Sequence, residues 1–268
     1  MNFKHQKIIL LLLFCLPLIS LAQIGAIVRS KEKKPFVSIW NTSLLSVGST
    51  ADTTIKLPII GSNHAFIADW GDGTTSVVSS LNIANATHVY AAPGTYTITI
   101  TGNINGWQFN NTGDKLKLIE IEKWGVLKGA GAFAFQGCSN MTVSATDELN
   151  LVGIQDLQYQ FDGCSSLVSM ETRGWDVSSG TNHQYQFRNC TSLITLDVSN
   201  WDMSFASSLA AQFSGCTSLT TLDISNWDVN RVSTFNSQFY GCTSLTTLDV
   251  SNWDVGSGIG LRDIFGNC

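Results

Sequence analysis

From Lys115 to the last residue, apolar positions return with a period of 26 residues. Two patterns share each period. Thr195-Leu196-Asp197-Val198-Ser199 alternates polar and apolar, and the segments beginning at Thr221 and Thr247 repeat it. Period-two alternation predicts a strand with Leu and Val or Ile inward and Thr, Asp and Ser outward. Val232, Phe235 and Phe239 are spaced by three and four, which predicts a short helix on the other side of the coil. Gly137, Gly163, Asn189, Gly215, Gly241 and Asn267 follow the helical pattern, and only Gly and Asn occur there. These are the residues that tolerate positive φ, so the expected helix ends in a left-handed cap. Helix, turn and strand would then repeat, with successive strands stacked in a parallel sheet.

Other columns keep the same step. Phe135, Phe161, Phe187, Phe213, Phe239 and Phe265 each stand three residues before Cys138, Cys164, Cys190, Cys216, Cys242 and Cys268. Trp175, Trp201, Trp227 and Trp253 form another column, and Gln160, Gln186, Gln212 and Gln238 are placed to form an amide ladder along the stack. Leu116, Ile119, Ile121 and Trp124 carry the spacing back to the start of the array, while the rung from Met141 departs from it. A disulfide framework has no need of equal cysteine spacing. Identical side chains on stacked coils point parallel rather than at one another, so the expectation is a column of buried free thiols.

Residues 36–102 have a different texture, with short β-branched and aromatic runs between turns, as in a small β-sandwich. Ala68-Asp69-Trp70-Gly71-Asp72-Gly73-Thr74-Thr75 reads as a strand entering a tight Asp-Gly turn. His88-Val89-Tyr90 and Ala92-Pro93-Gly94-Thr95-Tyr96-Thr97-Ile98 read as a second turn and strand. Residues 23–35 and 103–114 read as linkers. Residues 1–22 read as an export signal: Lys4 and Lys7 precede the apolar run from Ile8 to Leu21, and Ser20-Leu21-Ala22 offers small residues for cleavage. No later stretch is long and apolar enough to span a bilayer.

The pattern from Phe213 through Cys216, Leu222, Asp223, Trp227 and Val229 resembles the 26-residue leucine-rich-like repeat of BspA-type bacterial surface proteins. The likeness covers residues 115–268, about six repeats, with tryptophan at 201, 227 and 253 where those proteins typically carry phenylalanine. The Trp70–Thr74 and His88–Thr97 motifs resemble those of PKD domains. Together the resemblances imply a mixed fold: an N-terminal Ig-like or PKD β-sandwich followed by an α/β leucine-rich-repeat-like solenoid with a parallel sheet. They also imply adhesion to proteins or glycans on a host or neighbouring cell, by a chain that is secreted or held at the cell surface.

Composition narrows the chemistry. The 268 residues carry a net charge of -5, with 13% charged and 44% hydrophobic. A disordered chain would need more charge and less apolar surface. A nucleic-acid partner would need a basic face. No catalytic constellation can be assembled from His64, His88 and His183, and cysteines at equal intervals do not converge on a zinc ion. No metal or cofactor is called for, with calcium on acidic residues as the one alternative.

Those acidic residues form the candidate site. Glu120, Glu171, Asp197, Asp223 and Asp249 each stand four residues before a tryptophan, with Ala145 interrupting, and alternation turns them outward beside Thr195, Thr221 and Thr247. Carboxylates ~5 Å apart repel by ~0.8 kcal/mol in water and by ~3 kcal/mol at an effective dielectric of 20, so the column belongs in solvent. It is either a wet face or a ligand surface for a basic partner or a divalent cation. A second column, Asp176, Asp202, Asp228 and Asp254, suits turn capping. The expected function is non-catalytic binding or adhesion through the exposed sheet face. The alternatives are an accessory or spacer segment of a larger secreted protein such as a hydrolase, or a display stalk. Cys268 falls where another strand should begin, which reads as a truncated array.

Overall fold

The computed structural model describes residues 34–256 and 259–268. The expected export signal and most of the first linker lie outside them. Among the described residues no helix is long and apolar enough to cross a membrane.

Among the described residues there are nine strands: β1 Phe36–Asn41, β2 Thr54–Lys56, β3 Ala65–Asp69, β4 Thr75–Ser79, β5 Thr87–Val89, β6 Thr95–Asn105, β7 Leu118–Lys123, β8 Leu127–Lys128 and β9 Thr142–Val143. One sheet runs in the order β4-β3-β6-β1-β7-β9, with β8 pairing β6; β2 and β5 make a separate pair. β1 is central, with one face wholly buried and the other partly covered. Phe36 and Trp40 are fully buried, as is Ser38, whose Oγ accepts from the Trp40 indole at 2.8 Å. β1 pairs antiparallel with both β6 and β7, and β7 pairs parallel with β9.

The turn between β3 and β4 shows why its glycine is there. Gly71 has φ of 78°, and a Cβ would lie 2.5 Å from the Thr97 carbonyl oxygen. Trp70 N–H closes the turn onto the Thr74 carbonyl at 3.1 Å.

Two expectations about the fold are corrected. Residues 36–102 do not make the expected Ig-like or PKD sandwich. Apart from the β2–β5 pair, their strands join one mixed sheet, which continues through β7 and β9 into the repeats. β1 pairs with β6 on one edge and with β7 on the other, which carries the sheet on from these residues into the repeats. Residues 103–114 contribute to the core: Trp107 and Phe109 are buried, and Trp107 packs edge-on against Phe36 with ring centroids 5.2 Å apart.

The α/β leucine-rich-repeat-like solenoid is likewise absent. Among the described residues there is no α-helix, only a 3-10 turn at Ile83–Ala86. The segments expected to be helical are runs of overlapping turns. Tyr159, Phe161 and Gly163 donate their amides to Gln184, Gln186 and Arg188 carbonyls in the next coil, at 2.8 to 3.0 Å. The intervening amides of Gln160 and Asp162 donate to carbonyls three residues back. A helix would spend every amide within its own coil and leave successive coils joined by side chains alone. Segments this short are also poor isolated helices. The geometry requires two left-handed residues per coil. One column is the expected Gly/Asn position, with φ between 58° and 78°. The other is Phe133, Tyr159, Tyr185, Ala211, Ser237 and Asp263, with φ between 51° and 61°.

The expected parallel sheet shrinks to single parallel bridges, Thr195 to Thr221 to Thr247 on one side and Asp156, Asn182, Ser208, Thr234 and Gly260 on another. Inward burial holds as alternation predicts: Leu196, Val198, Leu222 and Ile224 are buried. The columns stack in register. Phe135, Phe161, Phe187, Phe213, Phe239 and Phe265 lie in near-parallel pairs with centroids 5.3 to 5.8 Å apart. Trp201 and Trp227 stack at 6.5 Å. No disulfide is formed by Cys138, Cys164, Cys190, Cys216, Cys242 or Cys268.

Candidate functional site

Thr195, Asp197, Thr221, Asp223, Thr247 and Asp249 line one open groove of about 780 Å3, floored by Leu196, Leu222 and Leu248. Each coil contributes the same three residues because the bridges among Thr195, Thr221 and Thr247 fix the register. Glu120 and Glu171 do not line this groove. Glu120 lies in β7 and accepts from the Ser144 hydroxyl, and Glu171 is exposed.

The aspartates also shape the backbone. Oδ1 of Asp197, Asp223 and Asp249 accepts from the amide two residues on, at 3.2, 3.2 and 2.9 Å. Ser199 and Ser225 add hydroxyl donors to Asp197 and Asp223 at 2.6 and 2.7 Å. Bonds from Ser199, then from Arg173, hold the Asp197 carboxyl below the usual carboxylate range, and bonds from Ser251 do the same for Asp249. The groove therefore carries carboxylates whose Oδ1 atoms are committed to the turns. Oδ2 of Asp223 and of Asp249 takes no hydrogen bond from the described residues, so both remain available as acceptors. Asp197 Oδ2 is paired with Arg173 at 2.9 Å. Arg173 escaped the sequence pattern because its column is not basic in other coils. In the second acidic column, Asp176, Asp202 and Asp228 cap their turns through amides at 3.0 to 3.1 Å, as expected.

The histidines lie apart. His64 Nε2 contacts the Ile60 carbonyl at 2.8 Å. His88 Nε2 meets Asp72 Oδ2 at 2.7 Å and stacks on Trp70. His183 is fully buried, with Nδ1 3.0 Å from Gln186 Oε1. Among the described residues no three His, Cys, Asp or Glu side chains converge on a metal-sized site. The groove can accept hydrogen bonds and attract cations.

Fold and groove together define a repeat protein whose coils present one hydroxyl and one carboxylate each on a common face. A family model described as "Mycoplasma protein of unknown function, DUF285" matches residues 132–222 and again residues 155–268. The matched region is about half of the chain, and the chain belongs to this family. Neither a curated protein nor a solved structure matched it.

Proposed function

We propose that the protein is a non-catalytic binding protein, exported and held at or released from the cell surface, and that the Thr/Asp groove docks a basic segment of a partner protein. The carrying observation is that three successive coils align Thr195 with Asp197, Thr221 with Asp223 and Thr247 with Asp249 along a single groove. Repeated acceptors at a regular step favour an extended partner bearing repeated Lys or Arg, since each contact is weak and the sum is specific. The export reading of residues 1–22, the resemblance to BspA-type repeats and the family membership all support surface display.

The test is binding of immobilised Lys- and Arg-rich peptides by the wild type and by the triple variant Asp197→Asn, Asp223→Asn, Asp249→Asn. Asparagine keeps the Oδ1 turn bonds, so the fold should survive. Loss of binding, with a steep salt dependence in the wild type, is the expected result. Equal binding by the triple variant would remove the groove from the function. A display stalk is the second reading, favoured by the sheet shared between β1 and β7, which leaves no loose joint there. A stalk would bind no peptide of either charge.

A further inference from the structure

A second groove, of about 620 Å3, lies on the turn segments of the coils and shares no residue with the first. Phe133, Tyr159 and Tyr185 form a stack that reaches this groove at Tyr185, with ring centroids 5.2 and 4.5 Å apart and interplanar angles of 11° and 18°. The Arg188 guanidinium lies 4.7 Å from the Tyr185 ring centroid and is tied to Asp162 by two bonds of 2.9 and 3.0 Å. In the next coil the column continues with Ala211, and its neighbours are Ala210 and Ser214. The stack of rings therefore stops and the surface drops by the depth of a side chain. One coil further on, Asn236 and Ser237 stand at the equivalent positions, and Tyr240 forms part of the far wall. Neither Ala211 nor Ser237 carries a ring, so the face of Tyr185 towards them is open, and coils stack at roughly the 4.8 Å spacing of paired strands. That is the thickness of one ring laid against the open face of Tyr185.

We propose that this slot is a glycan subsite in which a pyranose ring takes the place that a tyrosine ring would occupy at position 211. The flat wall of Tyr185 matches the C–H face of a sugar. The rim matches its hydroxyls: the Gln184 amide, the Ser214 and Ser237 hydroxyls, the remaining Arg188 N–H groups and the Asp263 carboxylate supply donors and acceptors beside the aromatic wall. A peptide aromatic ring would stack equally well but would leave that polar rim without partners. This subsite is independent of the peptide groove proposed above.

The left-handed column supplies the decisive variant. Tyr159 and Tyr185 hold tyrosine at φ of 54° and 58°, and Ala211 has φ of 51°, so Ala211→Tyr extends the existing stack and fills the slot without a new backbone shape. The probes are maltohexaose, cellohexaose, chitohexaose and mannohexaose at millimolar concentration, read by saturation-transfer NMR and calorimetry. At least one should bind the wild type, with binding weakened by about tenfold or more in Ala211→Tyr and in Tyr185→Ala. Binding should persist in the Asp197, Asp223, Asp249 triple variant. Four silent oligosaccharides would overturn the proposal, as would equal binding by Ala211→Tyr. Displacement of a Phe- or Tyr-rich peptide by Ala211→Tyr, with no sugar bound, would assign the slot to peptides and also overturn it.

Discussion

Gln212 donates from Nε2 to Oε1 of Gln186, 3.2 Å away, and both side chains are wholly buried. Gln186 donates in the same sense to Gln160 at 2.9 Å, and Gln238 to Gln212 at 3.4 Å. A buried primary amide is tolerable only when partnered, and here each coil supplies the acceptor that the next requires.

Gln212→Leu should therefore cost more than the loss of one bond. It leaves the Gln238 Nε2 group without its acceptor inside the core, a penalty of ~1–3 kcal/mol. Urea unfolding monitored by tryptophan fluorescence measures it. Substitution of the half-buried Gln158, whose amide reaches the nearby Asp156 at 2.9 Å, should change stability far less.

The cysteines should behave as two classes. Cys164, Cys190, Cys216 and Cys242 each donate Sγ–H to the carbonyl of a phenylalanine in the preceding coil, at 3.1 to 3.2 Å. Burial pushes the Cys138, Cys164, Cys190 and Cys216 thiols well above their usual range and Cys242 up to about 12. Cys268 is exposed. In a chain lacking residues 1–22, native protein at mildly alkaline pH should show one thiol that reacts quickly. Denatured, unreduced protein should show all six. A denatured count of zero would mean disulfides.

His183 should make stability fall in acid. Its Nδ1 faces Gln186 Oε1, an acceptor, so the ring proton sits on Nδ1, while the buried Nε2 has no partner. Burial, opposed in part by the Gln186 bond, pulls its pKa below the ordinary value. A folded pKa below the unfolded value of about 6.5 means that the unfolded chain binds the extra proton first. Stability is full above about 6.5 and declines as pH falls from there towards the folded pKa. His183→Leu, the residue at the equivalent positions 157 and 209, should remove that part of the slope in melting temperature against pH.

Lys117 should be intolerant of change. It is buried, with Nζ donating to the carbonyls of Thr50, Ala51 and Thr54 and to Thr50 Oγ1, at 2.7 to 3.0 Å, and it pairs with the buried Asp114 at 3.1 Å. Lys117→Met strands Asp114 as a lone buried charge and should cost ~3–5 kcal/mol in chemical denaturation. Restoring a neutral partner with Asp114→Asn in the same chain should recover part of that loss.

The coil period, the Gly/Asn column and the aligned cysteines and glutamines were legible because each places one residue type at every equivalent position. The absence of helices was not. Spacings of three and four at Val232, Phe235 and Phe239 suit a helix and a chain of turns equally, since both return side chains to one face. The second left-handed column gave no sign, because Tyr185, Ala211 and Ser237 have no preference for positive φ; the bonds their amides donate to the next coil impose it. The groove was legible in Thr195, Asp197 and their equivalents. The failure of Glu120 and Glu171 to join it was not, since spacing to a tryptophan says nothing about where β7 departs to pair with β1.

The two left-handed positions per coil also set how such a chain can change length over evolutionary time. A whole coil can be duplicated or excised and its neighbours meet across a junction they already know how to make. Loss of a single residue inside a coil would put that coil out of register with both of its neighbours, so gain and loss of entire units is the route this architecture leaves open.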